Sequence, residues 1–571
     1  MRGFLNWIPL FQNMKGYSKS DLRGDGIAGI TVGILLIPQG MAYAVLAGMP
    51  PVYGLFSATV PLVVYGLLGS SRQLAVGPVA IVSLLITSGV SEWAQPGTAE
   101  YVSLVVQLSL LTGLIQVIAG AVRLGYLANF LSRPVIHGFS SAAALVIIGS
   151  QLGNLLGIPV PRSTPLHETV INLIRNGAHF HWPTFAIGIC AVGIVIAAPR
   201  IHRAIPGALI AIVAGTLTVY FAGHTMTGVK IVGDIPGGAP PFAIPSFSLE
   251  SLRMLWPTAV TIAFFGFLES YAVSKALAAK KQNQKLNANH EFISIGAANL
   301  AGAFFNAYPV AGGFGRSAVN EQAGAVSGLA SLFSAFIVLL CLLFLTPLFR
   351  HLPGAVLAAM IVVAVIPLIA IDDVKYLWRS DRRDLFLLIT TFAATLALGV
   401  ESGIVISVVL SLLLVVYSAS NPHSAELGKL PGDRHYMNVI RFPKAETCDD
   451  ILVFRFDGPL FFGNVSVFED RIKMHMKKKS PQLKLIVLDA SAIHHIDSTA
   501  MHTLTQMVEG FARQHINVYT AYVRGPIRDT MKRSGLYDII GSSNHFLNVA
   551  DAVERFTSRH RKEQSECLSN N

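Results

Sequence analysis

The sequence predicts an α-helical polytopic membrane protein that carries a small soluble α/β domain after its last membrane segment. Hydrophobic residues make up 52% of the chain and charged residues only 13%, a balance that a soluble domain cannot maintain at its surface. Nearly uninterrupted apolar runs extend to about residue 420, and charged residues are concentrated after it. In that last part, apolar strands alternate with amphipathic helices.

The change in composition near Asn421 and Pro422 marks the boundary between the two parts. The first 25 residues mix charged and aromatic side chains and lack the apolar stretch and cleavage site of a signal peptide. We therefore expect an N-terminal segment (1–25), a transmembrane domain (26–420), a linker (421–435), the α/β domain (436–560) and a disordered tail (561–571).

A membrane-spanning helix needs about 20 apolar residues, and a shorter run indicates a broken or re-entrant element. Counting both kinds gives fourteen transmembrane segments. They are predicted at 26–45, 52–70, 78–92, 101–122, 136–156, 183–199, 206–223, 254–274, 291–305, 316–325, 327–348, 352–369, 384–399 and 402–418.

Basic residues are distributed unevenly over the loops between these segments. If the N-terminus is cytoplasmic, the inner loops contain Lys275, Lys280, Lys281, Lys285, Lys375, Arg379, Arg382 and Arg383, among others. The outer loops contain only Arg162, Arg175, Lys230, Arg253 and Arg350. The positive-inside rule then predicts that both termini, and with them the α/β domain, are cytoplasmic.

The third and tenth segments are too short to span and follow stretches marked by Gly and Pro. The first stretch is Ser71-Arg72-Gln73-Leu74-Ala75-Val76-Gly77-Pro78, and the second is Tyr308-Pro309-Val310-Ala311-Gly312-Gly313-Phe314-Gly315. Each break stands third in a half of seven segments, which predicts an inverted repeat with an anion site between two half-helix N-termini. The alternative is that the breaks coincide by chance, since Gly and Pro are common in membrane helices.

Polar side chains interrupt the first segment at Gln39 and Tyr43, which lie four residues apart and therefore on one face of a helix. Pro38 frees a backbone carbonyl beside them, and Gly40 permits another element to approach closely. This pattern favours a binding face. The alternative is a kinked helix whose amide is bonded to a neighbouring segment.

The eighth segment places the carboxyl group of Glu269 inside an apolar helix, and Arg316 opens the tenth half-helix. A charge at this depth costs at least about 2.5 kcal/mol, so such residues are usually functional, paired or protonated. Two helix N-termini of roughly +0.5 each and one arginine sum to about +2, which matches a divalent oxyanion. A proton on Glu269 would remove an opposing charge, so that proton and anion binding favour each other. The alternative is a structural ion pair between the two side chains.

Two motifs resemble those of the sulfate permease (SulP, SLC26-like) anion transporter family. One is Gly29-Ile30-Thr31-Val32-Gly33, continued by Pro38-Gln39-Gly40-Met41-Ala42-Tyr43-Ala44 and Gly48-Met49-Pro50-Pro51-Val52-Tyr53-Gly54-Leu55. The other is Gly312-Gly313-Phe314-Gly315-Arg316-Ser317-Ala318-Val319-Asn320, in the form typical of sulfate-transporting members. The resemblance extends over essentially the whole chain.

The resemblance implies a UraA-like seven-plus-seven inverted repeat with a core domain, a gate domain and usually a homodimer. The anion-binding residues that it implies are Gln39, Tyr43, Ala75, Val76, Gly77, Val79, Gly315, Arg316 and Ser317. Glu269 would be the proton-linked carboxyl group. Sulfate-type members usually have serine before the arginine, whereas this chain has Gly315, so that one hydroxyl donor is missing.

The C-terminal part is predicted to contain strands at 451–456, 485–489 and 516–523 and helices at 465–478, 498–511 and 526–534. It resembles the STAS (sulfate transporter and anti-sigma factor antagonist) domain in Phe461-Phe462-Gly463-Asn464, Asp489-Ala490-Ser491 and Ile496-Asp497-Ser498-Thr499-Ala500. In anti-sigma antagonists the serine at the position of Ser498 is phosphorylated, which makes Ser498 a regulatory candidate. The alternative is that Asp497 and Ser498 cap a helix.

Several function classes are excluded. The run from Gly24 to Gly29 matches the dinucleotide fingerprint, but no strand precedes it. The four cysteines and the pair His494 and His495 lack metal-ligand spacing. The basic residues are dispersed over loops, whereas nucleic-acid binding requires them on one face. We therefore expect that the protein is not an enzyme, that it has no metal or cofactor site and that it binds no nucleic acid. We expect a proton, in preference to sodium, as the coupling ion.

The leading interpretation is a proton-coupled sulfate symporter of the cell (inner) membrane. Bicarbonate or a C4-dicarboxylate is the alternative cargo, and an anion channel or an anion sensor that signals through the STAS domain is the alternative function. Glu269 favours a symporter over a channel, because conduction alone requires no acid within the membrane. We also expect contacts with membrane lipid, a homodimer and a cytoplasmic regulatory protein at the STAS domain.

Overall fold

The computed structural model describes residues 9–10, 17–129, 132–159, 166–201, 206–222, 228–246, 248–278, 286–479 and 481–569. The chain divides into two compact units, Met1–Ser411 and Leu412–Asn571. The division falls inside the last apolar helix, Val400–Ser420. Of the loop charges that orient the segments, Arg162, Lys280, Lys281 and Lys285 lie outside the described residues.

The first unit is almost wholly helical. Its principal helices are α1 (Lys19–Leu46), α2 (Pro51–Ser57), α3 (Val60–Leu68), α4 (Ala80–Val90), α5 (Ala99–Ala121), α6 (Arg133–Leu156), α7 (Leu166–Arg175), α8 (Trp182–Ile201), α9 (Gly207–Ala222), α10 (Leu249–Ala278), α11 (Ala288–Ala303), α12 (Phe314–Gln322), α13 (Leu329–Leu340), α14 (Gly354–Val365), α15 (Ile371–Ser380), α16 (Arg382–Leu398) and α17 (Val400–Ser420). Two short strands, β1 (Val76–Gly77) and β2 (Ala311–Gly312), precede α4 and α12.

Seven helical stretches among the described residues are long and apolar enough to cross a membrane, and four shorter apolar helices accompany them. Each of the fourteen predicted segments coincides with one or two of the helices from α1 to α17. The predicted architecture, a multi-pass helical membrane protein, is therefore confirmed. Helices α7 and α15 were not among the predicted segments, because at ten residues each they are too short and too polar to meet the criterion for a span.

Helix packing in the first unit repeats between its two halves. Helix α11 packs against α5 as α3 packs against α13, and α10 packs against α5 as α1 packs against α13. Likewise α16 packs against α6 as α8 packs against α14. In each comparison, the second packing pair is obtained from the first when each helix is replaced by the helix of the segment seven places away in the predicted series of fourteen. This exchange is the property expected of two inverted halves.

Helix α1 begins with a reciprocal cap and passes close to α2 at its middle. The Ser18 hydroxyl accepts a hydrogen bond from the Asp21 N–H, and the Asp21 carboxylate accepts one from the Ser18 N–H. Pro38 lies inside the helix, and Gly40 faces Gly54 of α2. A Cβ on Gly54 would lie 1.9 Å from the Gly40 carbonyl oxygen. Only glycine permits this crossing, which brings the two backbones into contact.

The second unit is a layered α/β domain. Its strands are β3 (Ser424–Lys429), β4 (Tyr436–Asn438), β5 (Ile451–Phe456), β6 (Leu485–Asp489), β7 (Asn517–Ala521) and β8 (His545–Phe546). They form one sheet in the order β4-β3-β5-β6-β7-β8, in which β5 to β8 are parallel and β3 pairs antiparallel with β4 and β5. Its helices are α18 (Val465–Lys479), α19 (Ser498–Arg513), α20 (Gly525–Arg533), α21 (Leu536–Ile540) and α22 (Val549–Ser569). Helices α18 to α21 contribute to the core on one face of the sheet, and α22 contributes to the core on the other.

The strands and helices predicted after residue 450 agree with β5 to β7 and α18 to α20 within three residues. Two boundaries differ. Strand β3 lies within the stretch expected to be a linker, because it pairs with β5, a partner that the local pattern does not reveal. Helix α22 continues to Ser569, through most of the tail expected to be disordered, since the charged residues after His560 are compatible with a helix.

Candidate functional site

Two extended strands join the broken segments of the first unit, which we call the membrane unit. Strands β1 and β2 pair antiparallel, with Val76 opposite Gly312 and Gly77 opposite Ala311. The Gly313 N–H extends the pairing by donating to the Ala75 carbonyl at 3.2 Å. We call the paired segments from Ala75 to Gly77 and from Ala311 to Gly313 the seam. The two breaks do not coincide by chance, since their backbone groups form hydrogen bonds with each other at the seam.

Half-helices α4 and α12 begin directly after the seam. Their N-caps are Val79 and Gly313, and neither start has a side-chain cap. The first backbone N–H groups of a helix have no acceptor within the helix, and the helix dipole places a partial positive charge there. Each start is therefore suited to bind an anion.

The guanidinium group of Arg316 lies between the two half-helix starts. Its side chain is buried, with 4% of the residue exposed. Nη1 donates to the Pro78 carbonyl at 2.6 Å and to Gln39 Oε1 at 3.4 Å. Nε and Nη2 have no hydrogen-bond partner among the described residues. These two nitrogens form one edge of the guanidinium. Such an edge can bind an oxyanion through two parallel hydrogen bonds.

Gln39 and Tyr43 approach this guanidinium from α1. Gln39 is half-buried, and its side-chain oxygen is occupied by Arg316 Nη1. Tyr43 is buried and interacts electrostatically with both Arg316 and Glu269. The alternative for Gln39 was that its amide is bonded to a neighbouring segment. This is the case for the amide oxygen. Its partner is the arginine of the predicted site.

Arg316, Gln39 and Tyr43 form a cluster of polar side chains. Glu269 faces this cluster from α10. Its Oε2 atom is buried without a hydrogen-bond partner among the described residues. Glu269 and Arg316 interact electrostatically, but no ion pair within 4.0 Å joins them, in contrast to the pairs seen elsewhere in the described chain. The two side chains are therefore close without neutralising each other directly.

The remaining predicted site residues fall into three groups. Ala75, Val76, Gly77 and Val79 are buried in and beside β1, so that they present backbone to the cluster. Gly315 is exposed, and a Cβ added there would meet nothing within 4 Å. The Ser317 hydroxyl is engaged in the seam: it accepts from the Ala75 N–H at 2.9 Å and donates to the Gly313 carbonyl at 2.7 Å. The Ser317 hydroxyl therefore holds the two half-helices together.

Sequence reasoning missed two residues of this cluster, Tyr308 and Ser83. Tyr308 is buried before β2 and interacts electrostatically with Arg316 and Tyr43. Ser83 is buried in the first turns of α4, and its hydroxyl faces that of Tyr308. A signal for Tyr308 was present, because it begins the Gly- and Pro-marked stretch before the tenth segment. Nothing in the local sequence singles out Ser83.

A cavity of about 950 Å³ lies beyond the C-terminal ends of α1 and α4. Its lining includes Val45 and Leu46, two and three residues after Tyr43, and Thr87, one turn after Ser83. The cavity does not include Arg316. Space is therefore available on one side of the cluster without opening onto the guanidinium.

In the C-terminal unit, Asp497 is the N-cap of α19. Its Oδ1 accepts from the Ala500 N–H at 2.8 Å, and its Oδ2 accepts from the Phe462 N–H at 2.8 Å. The helix-capping alternative is thus correct for Asp497. Ser498 is the first residue of the helix and is exposed. Among the described residues, no group of three or more His, Cys, Asp or Glu side chains could hold a metal ion.

Residues 22–391 match the model of the Sulfate permease family, and residues 442–552 match that of the STAS domain. Sulfate transporter 4.1, chloroplastic, of Arabidopsis thaliana is 37% identical over 570 residues, which cover 96% of this chain and 83% of the relative. The murine solute carrier 26 family member A9 anion transporter in the inward-facing state superposes with a TM-score of 0.89 at 23% identity, over 98% of this chain and 95% of that one.

The transmembrane domain of a cyanobacterium bicarbonate transporter, BicA, superposes with a TM-score of 0.59 at 21% identity, over 69% of this chain and 98% of that one. At these identities the two solved structures show a common fold. The match to the family model covers most of the membrane unit, and the sequence identity to the curated relative extends over nearly the whole chain. The chain therefore belongs to the sulfate permease family of membrane transporters, and its C-terminal unit contains a STAS domain.

Proposed function

We propose that the protein is a secondary active anion transporter that couples sulfate uptake to a proton, with the anion bound between half-helices α4 and α12. The observation that carries this proposal is the free Nε–Nη2 edge of Arg316. It is buried between two uncapped helix starts, while Nη1 is held by Pro78 and Gln39. A guanidinium that is held at one nitrogen and unpaired along the opposite edge can offer two parallel hydrogen bonds to a tetrahedral oxyanion.

The charge of the cluster supports a divalent anion. Two helix starts of roughly +0.5 each and the guanidinium contribute about +2 in total. Sulfate neutralises this charge. The curated relatives with 31–38% identity to this chain are named sulfate transporters or probable sulfate transporters, which favours the same cargo here.

Glu269 is the proposed proton acceptor. Among the described residues, its buried Oε2 has no hydrogen-bond partner, and the charged and titratable groups that interact with Glu269 are Arg316 of α12 and Tyr43 of α1. An ionised Glu269 opposes anion binding at Arg316, and protonation removes that opposition. Proton and sulfate would then bind with positive coupling, which is the requirement for symport.

Uptake of radiolabelled sulfate by proteoliposomes tests this function. Acid outside should drive accumulation, and Arg316→Lys should reduce uptake by at least about tenfold, because an ammonium cannot offer two parallel hydrogen bonds. Arg350→Lys is the matched control, since Arg350 forms an exposed ion pair with Asp234. Failure to accumulate sulfate under any imposed gradient would contradict the proposal.

Bicarbonate is the second candidate cargo, and Gly315 is the observation that favours it. The missing serine hydroxyl leaves open space at the start of α12, which weakens the case for a fully coordinated sulfate. Competition of sulfate uptake by bicarbonate, fumarate and selenate separates the cargoes. Flux that follows a gradient without accumulation would indicate a channel, and signalling without flux would indicate a sensor.

The assembly and regulation expected from the sequence are part of the same proposal. The protein would act as a homodimer in the cell membrane, with both termini and the STAS domain in the cytoplasm, and the exposed Ser498 would be a site for a regulatory modification. Crosslinking in membranes tests the dimer, and protease accessibility in oriented vesicles tests the orientation. Mass spectrometry of cell-derived protein tests Ser498, and an unmodified serine under all growth conditions would count against regulation there.

A further inference from the structure

Among the described residues, two hydroxyl groups lie fully buried beside the proposed anion site without a hydrogen-bond partner. They belong to Tyr308, in the extended segment before β2, and Ser83, in α4, and each residue is 0% exposed. A buried hydroxyl without a partner is destabilising by about 1–3 kcal/mol, so such groups need an explanation. The proposed function as stated above uses neither of them.

The backbone around Tyr308 is held in place from three helices. The Tyr308 N–H donates to Ser57 Oγ of α2 at 2.9 Å. Two and four residues later, the Val310 N–H donates to Asn299 Oδ1 of α11 at 2.8 Å, and the Gly312 N–H donates to Ser270 Oγ of α10 at 2.7 Å. Small movements of this segment therefore cannot give the Tyr308 hydroxyl a new partner without breaking these bonds.

The two hydroxyls cannot satisfy each other completely. They face each other, but without the geometry of a hydrogen bond. If a rotation brought the Tyr308 O–H onto Ser83 Oγ, the Ser83 hydrogen would still need an acceptor, and the reverse pairing would leave the Tyr308 hydrogen free. Neither hydroxyl donates to a protein acceptor in the described geometry, so at least one O–H donor is available there.

The Tyr308 hydroxyl lies within electrostatic range of the Arg316 guanidinium. Tyr308 interacts electrostatically with Arg316 and Tyr43, and Ser83 lies four residues after Val79, the N-cap of α4. Among the described residues, the unpaired donors of this region include Arg316 Nε, Arg316 Nη2 and the hydroxyls of Tyr308 and Ser83. The first N–H groups of α4, which begins directly after Val79, add further donors on the same half-helix as Ser83.

We propose that Tyr308 is a further anion-binding residue whose hydroxyl donates to an oxygen of the bound oxyanion, with Ser83 as the residue that orients it. This inference rests on the proposed function, because it assigns a ligand to the same site. A phenol adds a directed hydrogen bond without adding charge. It therefore favours anions with several strong acceptor oxygens, such as sulfate and selenate, over a halide of similar charge density.

The test is uptake by proteoliposomes that contain the full-length protein with Tyr308→Phe or Ser83→Ala. Tyr308→Phe should raise the KM for sulfate about tenfold and that for selenate similarly, as expected for a hydrogen bond to a charged group. Competition by chloride should gain in relative strength, while stimulation by an acid-outside gradient is retained. Ser83→Ala should raise the KM by a smaller factor, and it should add nothing in the Tyr308→Phe background.

Thr112→Val is the matched control, because Thr112 of α5 is equally buried and its hydroxyl is also unpaired among the described residues. It should leave the KM for sulfate unchanged. If Tyr308→Phe folds poorly, the increase in Tm caused by sulfate is compared between the wild type and Ser83→Ala, and it should be smaller in the variant.

The outcomes separate the two proposals. Wild-type protein that accumulates sulfate, together with an unaltered KM and anion preference in Tyr308→Phe, overturns the inference and leaves the proposed function intact. An equal change in Thr112→Val, or a full sulfate-dependent Tm increase in Ser83→Ala, also overturns it. Absence of accumulation by the wild type overturns the proposed function and this inference together.

Discussion

The Ser317 hydroxyl accepts a hydrogen bond from the Ala75 N–H at 2.9 Å and thereby ties half-helix α12 to the strand that precedes half-helix α4. The same hydroxyl donates back to the Gly313 carbonyl within its own helix. Ser317 and Ala75 are both buried. This side chain therefore acts together with the β1–β2 pairing to set the distance between the two helix starts, and with it the place of Arg316.

Replacement of Ser317 by alanine should weaken this seam. The change leaves the buried Ala75 N–H without a partner, which is destabilising by about 1–3 kcal/mol. We expect a lower Tm of the purified protein in detergent and a lower sulfate uptake at unchanged anion preference. Thr31→Ala is the control, since the Thr31 hydroxyl is exposed and bonds only to its own helix at Ile27. Equal Tm values for Ser317→Ala and the wild type would contradict the role of the seam.

Replacement of Glu269 by glutamine should separate transport from the proton gradient. The amide is neutral at every pH, so the opposition to the anion at Arg316 is removed permanently. We expect sulfate to equilibrate across the vesicle membrane while an acid-outside gradient no longer stimulates uptake. Glu92→Gln is the control, because Glu92 lines the separate cavity. A variant of Glu269 that keeps its full dependence on the gradient would remove Glu269 from the coupling mechanism.

Replacement of Gly54 by alanine should prevent normal folding of the membrane unit. A Cβ at this position would lie 1.9 Å from the Gly40 oxygen and 2.3 Å from the Gly40 carbonyl carbon, so α1 and α2 would have to separate. Overpacking of this kind usually costs at least about 1–3 kcal/mol. The yield of monodisperse protein in size-exclusion chromatography measures the effect. Gly26→Ala of α1 should match the wild type, since its Cβ would meet nothing within 4 Å.

Acidification should loosen strand β3 of the C-terminal unit. Glu426 Oε2 lies 3.5 Å from His475 Nδ1, and Oε1 lies 3.0 Å from Lys479 Nζ. These contacts, His475 first and Lys479 second, hold the pKa of the Glu426 carboxyl below its ordinary value. A lowered pKa in the folded state means that the stabilisation is present above the unfolded pKa of about 4.3 and is lost as the pH falls through the folded value.

Hydrogen exchange of peptides that cover β3, corrected for the intrinsic rate, measures this effect in the full-length protein. Protection should fall at acidic pH in the wild type and should depend much less on pH in Glu426→Gln. Glu469→Gln is the control, because Glu469 pairs with Lys473 on the surface of α18. Protection of β3 that is independent of pH in the wild type would contradict the assignment.

The sequence revealed several parts of the proposed site by local rules. Gln39 and Tyr43 were recognisable because spacing by four residues places side chains on one helical face. Glu269 and Arg316 were recognisable because charged residues are rare at membrane depth. Glycine and proline marked the two breaks, since these residues interrupt regular helices.

Other parts depended on contacts between residues that are distant in the chain. Ser317 looked like a ligand beside Arg316, yet its partner is Ala75, 242 positions away. Ser83 and Tyr308 are more than two hundred positions apart, so no local pattern could bring their hydroxyls together. An ion pair between Glu269 and Arg316 was a reasonable alternative, but no ion pair within 4.0 Å joins the two side chains, although their helices pack against each other.

The sequence by itself determined that the chain is a multi-pass helical membrane protein with broken third and tenth segments and a C-terminal α/β domain. Hydrophobic length and backbone-breaking residues are local properties, and they suffice for that conclusion. Only the tertiary structure decided which side chains meet between the two broken segments. The pairing of β1 with β2 sets that geometry, and strand pairing between the halves of a chain follows from packing that no single segment encodes.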